Sequence, residues 1–310
     1  MATMLEMPGP EGLREAVDAL RAWQDDAAPM QLHPGDLGWF WRSGAEATAA
    51  AVRTWRRDGR ILAVGLLDGP RLLRLTTAPD ARRDEELARR LVEDATEPER
   101  GVLPAGRVNV EAPAGALVRD LLAEEGWGLD EPWTPLRRDL TDPVEDPVEA
   151  PNVQTGERTG PRNGVRNGLR IEVAGPERAH EVAAVHRAGF EGSTFTEERW
   201  HAMAAGLPYT EARCLIAYDD RDDRHDAVAT VTVWSAGPGR PGLLEPMSVH
   251  RDHRRRGHGR TMSLAAAATL RSLGSSSVLV CTPSANVAAV AAYTSAGFRP
   301  RPEIRDRCRS

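Results

Sequence analysis

GLLEPMSVHRDHRRRGHGRTMSLAAAATLRSL, residues 242–273, is the stretch whose reading decides the fold. Gly242–Val249 is an apolar run of strand length. Gly259–Leu273 is an Ala-rich run of helical length ending at Gly274, a residue type well suited to the position just past a helix. Between them lies Arg254-Arg255-Arg256-Gly257-His258-Gly259. A strand, a basic loop and a helix in this order can cradle an anion. The two glycines let the chain turn tightly and expose its N–H groups. The helix adds the positive end of its dipole, and the arginines offer forked donors suited to a pyrophosphate. Taken alone, R-x-x-G-x-G reads equally well as a solvated basic turn.

Downstream, Asn286, Tyr293, Gly297 and Phe298 are spaced N-x6-Y-x3-G-F. Ser277–Cys281 reads as a buried strand, Asn286–Ala296 as a helix stopped by Gly297, and Phe298–Cys308 as a returning strand. Asn286 and Tyr293 are two helical turns apart and share a face. A core tyrosine is the commoner use of such a residue. The rest of that face is Ala and Val, too small for ordinary core packing, so a ligand or a facing helix is expected against it.

Upstream, Leu169–Val173, Arg213–Tyr218 and Ala227–Ser235 read as strands, and Pro176–Phe190 and Thr196–Ala205 as helices. The whole order from 169 to 310 is β-α-α-β-β-β-α-β-α-β. A fainter version precedes it. Gly12–Trp23 and Glu46–Arg57 read as helical, Arg60–Leu67 and Arg71–Thr77 as strands, Glu85–Asp94 as a helix, Arg107–Glu111 as a strand and Ala116–Glu125 as a helix. The endings VNVEAPAGALVRDLLAEEGW and VLVCTPSANVAAVAAYTSAGF match in phase, which suggests a tandem duplication. Residues 141–168, TDPVEDPVEAPNVQTGERTGPRNGVRNG, have no regular period and read as a linker. The chain therefore divides into 1–140, a linker 141–168, and 169–310.

Composition excludes several classes. The net charge is −6, against a nucleic-acid binder. No apolar run approaches the roughly 20 residues that span a bilayer, and the first residues do not read as a signal peptide. Cys214, Cys281 and Cys308 are too few and scattered for a disulfide framework, so a cytoplasmic protein is expected. All 40 basic residues are arginine, so any anion site must use arginine or backbone N–H groups. His250, His253 and His258 invite a metal reading, but residues 251–260 carry five arginines among and beside them, and no metal site is expected. The sequence says nothing of oligomeric state.

The segments Leu243–Leu273 and Ser277–Phe298 resemble the cofactor-binding motifs of the GNAT superfamily of N-acetyltransferases. The element order fits the same α/β fold, with a mixed α+β sheet. The two-copy layout resembles its tandem members, mycothiol synthases among them. The resemblance implies acetyl-CoA as acyl donor and a small-molecule amine as acceptor, joined by direct attack in a ternary complex. It implies that Met247, Ser248 and Val249 hold the pantetheine through backbone groups, and that Arg254, Arg255, Arg256, Gly257, His258, Gly259 and Arg260 form the pyrophosphate loop. Asn286 would contact the cofactor arm and Tyr293 would face the sulfur. Arg251 stands where the family usually has proline, and His258 where it usually has an aliphatic residue. A non-catalytic acyl-CoA-binding module and a mycothiol-synthase-like enzyme are the alternatives.

Acyl transfer to an amine needs a base for the ammonium proton, a polarised carbonyl and an acid for the leaving thiolate. Glu245, on the strand before the loop, is the candidate base, with a solvated strand-end charge as its other reading. Tyr293 is the candidate acid. Phe190–Trp200 contains Glu191, Phe195 and Trp200, whose acidic and aromatic character suits a cationic acceptor; a helix cap at Thr194–Glu198 is the competing reading.

In the first half, the stretch matching the loop is Pro79–Leu87, where Glu85 and Leu87 replace the two glycines. Gly115 and Leu122 replace Asn286 and Tyr293. This half is expected not to bind acyl-CoA, but to buttress the second half or wall its acceptor cleft. Trp23, Trp39, Trp41, Trp55 and Trp127 are expected in its core or along a cleft.

Overall fold

Asp68-Gly69-Pro70-Arg71 separates two apolar runs and turns the chain back on itself, with Gly69 at φ 99° and Asp68 N–H bonded to Leu72 O at 3.0 Å. This hairpin is the centre of the first half. In the computed structural model, which describes residues 2–141, 143–144, 164–166, 169–220 and 226–310, the first half runs β1 (Met4–Glu6), α1 (Leu13–Trp23), α2 (Pro34–Phe40), α3 (Ala45–Ala51), β2 (Val52–Arg57), β3 (Arg60–Leu67), β4 (Leu72–Thr77), α4 (Glu85–Thr96), β5 (Val108–Glu111), α5 (Leu117–Glu124) and β6 (Gly128–Asp139). The second half runs β7 (Gly164–Arg166), β8 (Leu169–Val173), α6 (Ala179–Gly189), α7 (Glu197–Ala204), β9 (Ala212–Asp219), β10 (Ala227–Trp234), β11 (Gly242–Val249), α8 (His258–Ser272), β12 (Ser277–Pro283), α9 (Val287–Ser295), β13 (Arg299–Pro300) and β14 (Ile304–Arg309). Most of 141–168 lies outside the described residues; Gly164–Arg166 pairs antiparallel with β8.

Two expectations are corrected, and two elements were not foreseen. The stretch Glu46–Arg57 is helical only to Ala51 and is a strand from Val52. Val52, Thr54 and Trp55 favour extended backbone, and β2 gains ladders to both β1 and β3. Phe298–Cys308 is not one strand. Pro300 and Pro302 lack the N–H a ladder needs, and the chain breaks into β13 and β14. Helix α2 and strand β1 had no counterpart in the sequence reading.

The strands form one mixed sheet ordered β1-β2-β3-β4-β5-β14-β6-β12-β11-β10-β9-β8-β7, with β13 also on β6. The order exposes an exchange. β14, the last strand of the second half, lies between β5 and β6 of the first. The second part of β6 in turn pairs with β12 from Thr134↔Thr282 to Asp139↔Ser277. Each half thus completes its sheet with the other's final strand, and sequence halves and sheet halves do not coincide. One core fills the first half, where Trp55, Leu66, Leu87 and Leu122 are almost fully buried. Two more lie on the second half. One contains Met262, Tyr293 and Phe298. The other contains Phe195, Trp200 and Trp234, with Trp39 of the first half packed against it.

Candidate active site

The site begins where two parallel strands part. β11 and β12 are in register only at Gly242↔Val278 and Leu243↔Leu279. Beyond them β11 stays with β10 as far as Val249, and β12 stays with β6 as far as Pro283. A bulge helps to separate them. Between the pairs Val231↔Met247 and Val233↔Leu244, β11 carries Glu245 and Pro246 opposite Thr232 alone. Pro246 has no N–H to give, so the ladder is interrupted there. Trp234 Nε1–H donates to Glu245 O at 2.6 Å and holds the bulge. Met247–Val249 therefore run along an edge whose β12-facing side has no strand neighbour among the described residues. The Ser248 hydroxyl is turned away and donates to Val185 O of α6 at 3.1 Å.

At the open end of this gap the chain makes the basic loop. Arg255 and Gly257 both take left-handed backbone, with φ of 63° and 86°. Gly257 caps α8 with no side chain accepting from its first turn, so those N–H groups face outward without an acceptor from the helix itself. A Cβ at Gly257 would meet nothing within 4 Å, whereas one at Gly259 would touch Ala292 of α9 at 3.4 Å. The arginines divide. Arg254 bonds Gly189 O at 2.5 Å and Val249 O at 3.4 Å, fastening the loop to α6 and β11. Arg260 Nε donates to Ser295 O of α9 at 2.9 Å. Arg255 and Arg256 are exposed. His258 is buried and its Nε2 lies 3.8 Å from Asp219 Oδ2, so it anchors the first turn of α8 from below.

His253 joins the same cluster. Among the described residues, ligand atoms of Asp219, His253 and His258 lie within 4.8 Å of one another; His250 is outside it. Arg256 Nη1 is 3.9 Å from the Asp219 carboxylate and 3.4 Å from His253 Nδ1. A guanidinium already faces this carboxylate, which suits an anchored loop better than a bound cation.

Tyr293, on α9, is 6% exposed. Burial and the nearby Glu245 charge push its phenol above the ordinary value, so it stays protonated, as an acid must. Glu245 is pushed up to about 8, first by burial and then by the charge of Asp36. The two candidates thus share one electrostatic neighbourhood across the gap. Asn286 is exposed and caps α9, accepting from Ala289 N at 3.2 Å. The small face of α9 is open, with Val287 72% exposed. Glu191 is exposed, whereas Phe195 and Trp200 are core residues. Phe195 lies between Trp39 and His186, with ring centroids at 5.1 and 4.8 Å.

Sequence reasoning missed the first half's share of this site. Arg74 of β4 binds Asp36 of α2 and Glu111 of β5, both at 2.8 Å, with Asp68 at 3.6 Å. This network reaches Glu245 and the Cys281 thiol, which is pushed up to about 12 by burial and then by Glu111. HPGDLG, residues 33–38, reads as a turn; only its proline followed by an acid hints at a helix start.

The counterpart in the first half is closed. α4 is capped by Asp84, whose Oδ1 accepts from Leu87 N at 2.8 Å. Arg57 grips both oxygens of that carboxylate at 2.8 and 2.9 Å and holds it at about 2. Leu117 N bonds Arg82 O at 2.9 Å, which ties α5 across the opening. Leu87 and Leu122 are buried.

Residues 180–298 match the model of the acetyltransferase (GNAT) family. Across its whole length the chain is similar in structure to a tandem GNAT protein from the clavulanic acid biosynthesis pathway, with a TM-score of 0.62 and 16% identity over 99% of this chain and 98% of the other. A GCN5-related N-acetyltransferase from Sphaerobacter thermophilus is similar at TM-score 0.58 and 18% identity, over 99% and 95%. Saccharomyces cerevisiae N-myristoyltransferase with bound myristoyl-CoA is similar at TM-score 0.52 and 10% identity, over 99% and 77%. No curated protein sequence matches the chain. Among the described residues no helix is long and apolar enough to cross a membrane.

Proposed function

We propose that the protein is an acetyl-CoA-dependent N-acetyltransferase acting on a primary amine of a small molecule, a reading supported by the match of residues 180–298 to the acetyltransferase (GNAT) family model and by the likeness of the whole chain to a tandem GNAT fold. The observation that carries this reading is the start of α8. It is a glycine-capped helix end with no internal acceptor, and it opens beside the gap between β11 and β12. Bound there, acetyl-CoA would supply an acetyl thioester. The first-turn N–H groups of α8, with Arg255 and Arg256, would hold its pyrophosphate. The unpaired edge at Met247–Val249 would hold the arm and polarise the acetyl carbonyl.

Glu245 takes the ammonium proton, which requires its ionised form; a value of about 8 makes that form more basic than an ordinary carboxylate, although it is the minor form at neutrality and grows as pH rises toward 8. The free amine forms its bond to the carbonyl carbon as the C–S bond breaks. Tyr293 gives its proton to the departing thiolate, and the proton shed by the acylated nitrogen restores the phenol. The first half binds no acyl-CoA in this reading and walls the acceptor side through Asp36, Asp68, Arg74 and Glu111. Full-length protein with acetyl-CoA and a panel of amines should release free CoA thiol. Tight acetyl-CoA binding with no release from any amine would make it a binding module instead.

A further inference from the structure

Helix α2 belongs to the first half, yet it is seated on the strand that carries Glu245. Its entry is fixed by His33. Gly35 N–H donates to His33 Nδ1 at 2.9 Å, so Nε2 carries the ring proton and donates to Pro241 O at 3.2 Å, beside the start of β11. Burial holds that ring neutral, at about 3. Gly35 and Gly38 lie on one face of the helix, and a Cβ at either would overlap the Trp234 indole. That indole donates to Glu245 O. Between these contacts sits Asp36, fully buried. One oxygen accepts from His33 N at 2.5 Å, the other is 2.8 Å from Arg74 Nη1, and the Glu245 carboxyl lies close enough to feel the charge of Asp36.

We propose that Asp36 is a positioning residue for Glu245: from the half without a cofactor site it keeps a like charge against the base's carboxyl. The inference rests on Glu245 being the base. Two carboxyls share the Arg74 cation, and Asp36 has the direct bond to it, so Glu245 is the member that keeps a proton longer. The other groups facing Glu245 are Asp68 after β3, Arg74 on β4, Arg42 after α2, and the neutral Cys281 and Tyr293 on β12 and α9. Of these only Asp68 pushes in the same direction as Asp36.

The test is a pH titration of the full-length protein by infrared difference spectroscopy, with the Glu245 carboxyl band identified by its loss in Glu245→Gln. In Asp36→Asn the midpoint should fall by about one pH unit or more, because a like charge is lost while Arg74 stays. An unmoved midpoint overturns the proposal, since a merely structural role would not tie Asp36 to this titration. Should Asp36→Asn fail to fold, Asp36→Glu keeps the charge and should keep the midpoint raised; a fall to the ordinary carboxyl range overturns it equally. The titration needs no acceptor. Full CoA release by Glu245→Gln would remove Glu245 from the reaction without touching the coupling.

Discussion

Helices α4 and α8 follow equivalent strands, β4 and β11, and each begins beside a parallel pair that parts after two or three residues. Their first turns differ. α4 starts with Asp84, an anion of the chain's own, clamped by Arg57. α8 starts with Gly257 and contributes no such group. A helix N-terminus attracts negative charge wherever it occurs. Supplied from within, that charge becomes part of the folded structure; left unsupplied, the helix end is available to a phosphate from outside. The openings agree with this. Leu117 N–H and an Arg83–Asp120 ion pair close the first. The second is bridged by Arg260, whose Nε bonds Ser295 O.

The largest expected effect bears on whether the halves are separable at all. Residues 1–141 and 164–310 made together as two chains should co-purify and unfold as one unit. Either made alone lacks a central strand and should show no cooperative transition. A well-folded isolated half would break the picture of exchanged strands.

Next comes the contrast between the helix starts. Gly257→Glu should weaken acetyl-CoA binding by about 100-fold or more, the cost of two charge-assisted hydrogen bonds. Because Gly257 has positive φ, Arg255→Glu provides a second route to the same loss. Arg82→Glu, in the closed copy, should leave calorimetric affinity unchanged. Equal losses from both loops would erase the distinction.

Tyr293→Phe makes the second half as inert at this point as Leu122 makes the first. Turnover should drop by about 100-fold, the lower range for a general acid, with acetyl-CoA affinity nearly intact. An unchanged rate would take Tyr293 out of the reaction.

The smallest effect is on Asp84→Ala. Its carboxyl is held at about 2, below the ordinary value, so its stabilisation is present above the unfolded value and lost as pH falls through about 2. At pH 7 the variant should lose about 1–2 kcal/mol, or on the order of 2–3 °C in Tm for a unit of this size. The difference should shrink as pH falls toward 2 and vanish only below it, and acetyl-CoA binding should be untouched.

Much of the fold was legible locally. Arg60–Leu67, Leu169–Val173 and Gly242–Val249 have the bounds read from their apolar runs, because a strand's end is set by its neighbouring turn residues. Gly297 stops α9 with φ 83°, and Phe298 N bonds back to Tyr293 O, as its place after an amphipathic run suggested. β2 was misread because Ala49–Arg53 suits a helix until the ladders to β1 and β3 are counted. Of the site, the loop and its partner helix could be read, since glycines and arginines at fixed spacing are a local pattern. Trp200 and Phe195 looked like binding residues and are core, a matter of which way a side chain faces.

By itself the sequence determined where backbone could turn, where a helix could begin without a cap, and which copy of the motif kept its glycines. These are properties of residue types at short spacing. The tertiary structure alone decided that β6 and β14 change places, that α2 lies against Trp234, and that Asp36 and Arg74 meet Glu245. Those residues are more than 170 positions from Glu245 in the chain. No local propensity links them; only the burial of apolar surface between the halves does, and it carries the charges along with it.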